Sequence, residues 1–219
     1  MLDIRAVLDK TFESAHYRFH STNATTDPGG PVIRSHGYVD LASETAAAVT
    51  EAPTAEDPNG AIFSFLLQNR LYLDIDLVEG DTDGVPVDGL LGVEAGALTW
   101  LYGARDIQEQ ADPATVNCTI DGTLAIAQAP AHLASAMRAS DLSSVLTGRA
   151  GSGRVTITDD RISAVELTIP TEDGVDLLVS LSLEPTSPRR VDLAEVTGKR
   201  SPRDLFEEIC ADRGDESDR

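Results

Sequence analysis

The 219-residue sequence predicts an α+β fold: a curved, mainly antiparallel sheet of about eleven short strands with helices on its concave face. Three observations point there. Apolar and polar residues alternate with a period of two over most of the chain, as in strands with one buried face. The alternating runs follow one another across short polar turns, which makes hairpins and antiparallel pairing. Three- and four-residue apolar spacing appears only near the start, the middle and the end, where helices can supply the cover that a single-faced sheet needs.

Residues 3 to 15 read as the first helix, with Ile4, Val7, Leu8, Phe12 and Ala15 on one stripe. Strand alternation follows at Tyr17 and Phe19, and "NATTDPGGP" is a loop of turn residues. "RSHGYVDLASETAAAVTE" (34–51) is a hairpin. Ile33, Gly37, Val39 and Leu41 share one face of its first strand, and Thr45, Ala47 and Val49 share one face of its second. Alanine is a poor strand former and covers little apolar area, so this sheet leaves room above it. "AIFSFLLQNRLYLDIDL" reads as two strands around Gln68-Asn69, with Leu71, Leu73, Ile75 and Leu77 on one face of the second.

"VEGDTDGVPVDGLLGVEAG" is a long loop, and "ALTWLYGA" (97–104) a short helix stopped by Gly103. In "ATVNCTIDGTLAIAQ", Val116, Cys118 and Ile120 alternate as a strand that Leu124 and Ile126 continue. Pro130 opens a helix with Leu133 and Met137 on its apolar side. "LTGRAGSGR" reads as a flexible loop. Three strands follow in "RVTITDDRISAVELTIPTEDGVDLLVSLSLEP", the last with Val175, Leu177, Val179, Leu181 and Leu183 in unbroken alternation. "RRVDLAEV" reads as an edge strand. Ser201 and Pro202 start a last helix with Leu205, Phe206 and Ile209 inside, before the charged tail "DRGDESDR". One main domain over residues 1–200 is expected, then a C-terminal helix and tail over 201–219.

The net charge of −20 argues against nucleic acid, whose phosphates demand Lys and Arg, and against anionic membrane surfaces. No stretch is long and apolar enough for a membrane span. The N-terminus lacks the basic and apolar regions of a signal peptide, so the chain as given reads as cytoplasmic, or as a cell-envelope protein if a leader has been removed. Cys118 and Cys210 fit no metal spacing and are expected as free thiols, with pairing as the alternative in an oxidising compartment.

The order of elements resembles the LolA-like half-barrels, and within them the actinobacterial lipoproteins of the LppX/LprG type. The likeness rests on "YRFHS…GYVDLASETAAAV", on "LTWLYGARDIQEQ…CTIDGTLAIAQAPAHL" and on "RVTITDDRISAVELTI", and covers roughly residues 1 to 196. It implies an eleven-stranded half-barrel closed by a helical lid over an apolar cavity, and carriage of lipid acyl chains without catalysis. The lipobox cysteine of that lipoprotein branch is missing here.

Other chemistry is weaker. His16 and His20 can approach His36 across the sheet, which as a metal site would need a fixed second shell. Asp81, Asp83 and Asp88 near Gly84 lack the spacing of a calcium loop. "GRAGSG" lacks the lysine and the following helix of a phosphate loop. No catalytic constellation, metal site or cofactor motif emerges. The expected ligand site is an apolar cavity lined by Phe12, Val39, Val49, Leu73, Ile75, Trp100, Leu101 and Val179. Its expected partner is a hydrophobic small molecule or lipid; the alternative is a protein partner held by the same curved sheet. Helices alone could also fill the space, and Trp100 then belongs either to the lid or to a partly exposed helix.

Overall fold

A computed structural model describes residues 2–53, 57, 59–80, 82–92, 94–109, 115–139, 150–171, 174–198 and 200–211. Those residues form one open, curved antiparallel sheet of eleven strands with several helices, the α+β architecture expected. The strands are β1 (His16–Thr25), β2 (Val32–Asp40), β3 (Thr45–Glu51), β4 (Ala61–Leu67), β5 (Arg70–Leu73), β6 (Val85–Pro86), β7 (Ala104–Glu109), β8 (Thr115–Asp121), β9 (Ala150–Thr158), β10 (Arg161–Ile169) and β11 (Leu177–Pro185). Their order is β6-β5-β4-β3-β2-β1-β11-β10-β9-β8-β7. Two meanders therefore meet at the central β1–β11 seam, and β6 and β7 are the opposite edges.

That order has one consequence for the site. The chain leaves the sheet at β6 and re-enters at β7, so the segment between them must cross a whole face. It does so as two 3-10 helices, Gly89–Gly92 and Glu94–Gly103. We call the second the plug. The helices α1 (Ile4–Glu13), α3 (Gly122–Gln128) and α4 (Ala131–Ala139) share this concave, inner face with it.

Local chemistry explains the turns and ends. Asp3 caps α1 by accepting from the amides of Arg5 and Ala6. Gln68-Asn69 and Asp159-Asp160 all have left-handed backbones, the geometry of tight two-residue hairpins. Gly103 ends the plug where a Cβ would lie 2.1 Å from Asp121 O, so only glycine lets the plug meet the start of α3.

Four expectations are corrected. Asp74–Glu79 is a helix, α2, not a strand: Asp74 and Asp76 sit in its first turn, where carboxylates suit the exposed amides, and left-handed Gly80 ends it. Ile75 is consequently 56% exposed and does not line the inner face. The strand of Val116, Cys118 and Ile120 stops at Asp121, whose side chain accepts from Leu124 N and caps α3, so Leu124 and Ile126 are helical. "RRVDLAEV" holds a one-turn helix, α5 (Leu193–Val196), capped by Asp192, rather than an edge strand. Residues 150–154 of the expected glycine loop are the start of β9, with Gly151 and Gly153 buried; residues 146–149 lie outside the described residues. So do Asp81 and the tail from 212.

The last helix, α6 (Pro202–Cys210), buries Leu205, Phe206 and Ile209 as expected, although Ser201 makes no side-chain cap. It packs on the outer face of β2, β3 and β4, away from the plug. The two thiols are free and lie on opposite sides of the sheet: Cys118 in the inner core, Cys210 beside the outer one. Burial pushes each up to about 11, so both stay protonated and unreactive at neutral pH.

Candidate functional site

The inner face is built from alternate residues whose parity changes along the sheet. Phe19 pairs with Gly37, so odd residues face inward in both β1 and β2. Val39 pairs with Ala46, so in β3 the even residues, Ala46 and Ala48, face inward. The same rule places Leu66 of β4 and Leu71 and Leu73 of β5 inward. Across the seam, Leu181 and Leu183 of β11, Val165, Leu167 and Ile169 of β10, and Val116, Cys118 and Ile120 of β8 complete the lining.

Onto this lining the plug drives Leu98, Trp100, Leu101 and Tyr102. Thr99 is satisfied within the plug, its hydroxyl donating to Gly96 O at 2.7 Å. Tyr102 reaches α1, its hydroxyl donating to Asp9 Oδ1 at 3.3 Å. Burial first, and then the Asp9 carboxylate, push that phenol up to about 12, so it remains a donor. Tyr17 closes the lower end by donating to Thr11 O at 3.0 Å, and its phenol is also raised by burial.

Of the eight residues expected at the cavity, Val39, Trp100 and Leu101 come together in this core, at 0%, 2% and 1% exposure. Surfaces this small leave no water-sized space beside those three side chains, so the plug itself fills the ground above the small residues. Phe12 and Val179 are half-buried at the margin of the same core. Leu73 is half-buried at the inner side of β5. Val49 is corrected: the β2–β3 register pairs it with His36 and turns it outward, under α6 with Phe63, Phe65 and Phe206. Ile75 is exposed on α2, as described above.

Past the plug the inner face runs on as a row across three strands, Ile33, Asn23 and Val179. Here Ile33 is 44% exposed and Val179 half-buried, so apolar surface is open to solvent at the rim of the filled core. Next to it Ser21 is buried with its Oγ unpartnered among the described residues. Sequence reasoning missed Ala46, Ala48 and Leu98 as members of the inner core. Leu98 was legible from its helical spacing with Leu101 and Tyr102; the two alanines required the register.

His16, His20 and His36 sit on the outer face, and His132 lies on α4. His20 and His36 stack with ring centroids 5.6 Å apart, and His16 Nδ1 lies 2.9 Å from the Tyr38 hydroxyl, which also accepts from Arg189 N at 3.1 Å. Among the described residues no group of three or more His, Cys, Asp or Glu is placed to hold a metal ion. Nor is any helix there long and apolar enough to cross a membrane.

No protein-family model matches the sequence, and no curated protein matches it. Among solved structures, the chain is similar to a LolA superfamily protein from Nitrosomonas europaea. The identity is 11%, over 91% of this chain and 99% of that one, with a TM-score of 0.43. It is also similar to an S-type phycobiliprotein lyase from Guillardia theta, at 10% identity over 84% of this chain and 96% of that one, with a TM-score of 0.30.

Proposed function

We propose that the chain is a non-enzymatic binding protein for an apolar, acyl-type guest, and that the conformation described is its closed form. The observation that carries this reading is the plug. A ten-residue 3-10 helix holds Leu98, Trp100 and Leu101 in one apolar core with the inner face of the sheet, where Ala46 and Ala48 lie among larger valines, leucines and isoleucines. Runs of 3-10 helix longer than three or four residues are uncommon, because their hydrogen bonds are poorer than those of an α-helix. A guest chain entering at Ile33 and Val179 would replace plug side chains with contacts of the same apolar kind, at little net cost. The small residues of the lining set the depth available to it.

This reading agrees with the LolA-like resemblance, whose eleven strands and helical lid correspond to the sheet order and the plug. The nearer placement among the LppX/LprG-type lipoproteins, with lipid carriage in the cell envelope, belongs to the same proposal. The near-complete burial of Val39, Trp100 and Leu101 favours a second reading, in which the packed half-barrel is only a scaffold for a protein partner.

A fluorescent fatty acid distinguishes them, because Trp100 is the sole tryptophan and reports on the plug by energy transfer. The carrier reading expects saturable quenching of Trp100 and tighter probe binding in Leu98→Ala, since a weakened plug competes less well with the guest. A wild-type protein that leaves the probe free, together with a Leu98→Ala variant that only loses stability, would exclude the carrier.

A further inference from the structure

The inward column of β1 changes character along its length. Tyr17 and Phe19 belong to the inner core, but the next three inward residues are Ser21, Asn23 and Thr25. Their partners in β11 are Leu181, Val179 and Leu177, apolar residues of the same core and its margin, so the three polar side chains point to the concave side. The register carries the change sideways. Ser21 pairs with Ser35 of β2, and Ser35 with Thr50 of β3, which sets three hydroxyls in one row. That row stands between the core under the plug and the open row of Ile33, Asn23 and Val179.

The hydrogen bonds of these groups are unevenly met. Ser35 Oγ lies 2.9 Å from Thr50 Oγ1. Ser21 is only 4% exposed, yet its Oγ has no hydrogen-bond partner among the described residues. Thr25 Oγ1, four residues on in the same column, is also buried and unpartnered among them. Buried side-chain oxygens in folded proteins nearly always have a partner. Here two unmet hydroxyls share one inward column, on either side of half-buried Asn23, where the inner face opens to solvent.

We propose that this column is the subsite for the polar end of the guest, and that the guest is an apolar chain with an uncharged oxygen head, an alcohol or an ester, not a free fatty-acid anion; the inference rests on the carrier reading above. A hydroxyl offers one donor and two acceptor sites, and the Asn23 amide offers both kinds, so the column suits hydroxyl and ester oxygens. No charged residue occupies an inward position of β1, β2, β3 or β11. A carboxylate drawn in here would lose its water without meeting a counter-charge, which costs far more than burying a neutral oxygen that finds a hydrogen bond. The column also sets a direction. A chain entering at Ile33 and Val179 runs past Ser21 toward Phe19, and its head stays beside Asn23.

The test follows Trp100 emission while the full chain is titrated with n-decanol or with sodium decanoate, two chains of one length that differ in the charge of the head. Sodium chloride at about 0.5 M screens the general repulsion between decanoate and an acidic protein. Decanol is expected to saturate at a concentration about tenfold lower than decanoate. Ser21→Ala should raise the decanol midpoint roughly fivefold and leave the decanoate midpoint in place, while thermal stability holds or rises, because the substitution deletes a hydroxyl that the empty protein leaves unmet. Asn23→Leu, at a half-buried position that folding does not depend on, should narrow the preference in the same direction. Equal midpoints for the two compounds, or a decanol midpoint that neither variant moves, would overturn the head-group subsite and leave the carrier standing. A chain whose Trp100 responds saturably to neither compound would overturn both.

Discussion

The two halves of the sheet are built to different rules. On one side of the seam, β2, β3 and β4 carry cores on both faces: the inner core that they share with the plug, and α5 and α6 outside. On the other side, among the described residues, β8, β9, β10 and β11 contribute to the inner core alone. The difference is written in the burial of consecutive residues. In β3, Ala46, Ala47, Ala48 and Val49 are all buried, and in β4 so are Phe65, Leu66 and Leu67. In β9, buried Gly151, Gly153, Val155 and Ile157 alternate strictly with more accessible neighbours. A strand buried on both faces loses its period of two and reads as a continuous apolar run. The alanines of β3 are thus small on both sides, where helical segments press from above and below.

The largest effect expected from this contrast is at Phe206. Its ring meets Phe63 edge-on at 5.5 Å and His36 at 6.0 Å, and it anchors α6 to the outer core. Phe206→Ala removes that anchor, and truncations of this kind cost about 3–5 kcal/mol. Chemical denaturation should show that loss, and hydrogen exchange should quicken in β3 and β4 while β9 to β11 keep their protection. An even loss of protection across all strands would mean that the two halves fold as one unit and that the second core is not a local addition.

The same contrast explains what the sequence revealed. The single-faced strands β1, β10 and β11, and β9 from Val155 on, were legible, because their outward residues are polar and alternate with apolar ones; the glycines that open β9 hid its first half. The double-faced β3 was misread by parity: with both faces buried, nothing in "TAAAV" says which alanines point inward, and only the Val39–Ala46 pairing decides it. Short alternating runs such as "LDID" and "TLAI" fit strand and helix equally well. The capping residues settled them, through Asp121 ahead of α3 and Gly80 after α2. Gly37 was visible, but its reason was not: β2 and β3 approach so closely that a Cβ there would lie 2.0 Å from Ala47 O.

An intermediate effect is expected from acid. His36 is solvent-accessible at the edge of α6, and partial burial, followed by the neighbouring His20, lowers its pKa below the ordinary value, with Glu51 opposing. A base whose folded pKa is lowered prefers to stay neutral in the folded protein. Its contribution is therefore intact above the ordinary value near ~6.5 and is lost as pH falls below that value and through the folded one. Stability of the wild type should drop over that window more than that of His36→Gln, which cannot titrate there. The comparison between the two proteins is needed because other groups titrate in the same range. Parallel pH profiles would show that protonation of His36 is not coupled to the outer core.

The smallest effect is expected on the bare side of the sheet, and it is the sharpest check of the contrast because Glu166 and Val49 occupy comparable outward positions in the two halves. Glu166 of β10 faces Arg154 of β9 across the ladder, with their charged atoms 3.8 Å apart and both side chains more than half exposed, at 63% and 58%. Water competes for both charges, and holding two long side chains in register costs entropy, so such exposed pairs contribute about 0–1 kcal/mol. Glu166→Gln keeps the shape, removes the charge and leaves no buried group unpaired. Its stability should stay within about 0.5 kcal/mol of the wild type. Val49, outward in β3, is by contrast buried beneath α6 and packed in the outer core. Val49→Ala removes buried apolar surface at about 25 cal/mol for each Å², and adds the cost of any cavity that the neighbouring rings cannot close. Val49→Ala should therefore cost clearly more than Glu166→Gln in parallel denaturation curves. Equal costs would mean that the outer face of β10 is also covered in solution, by a segment or a partner that turns the single-faced half into a second sandwich.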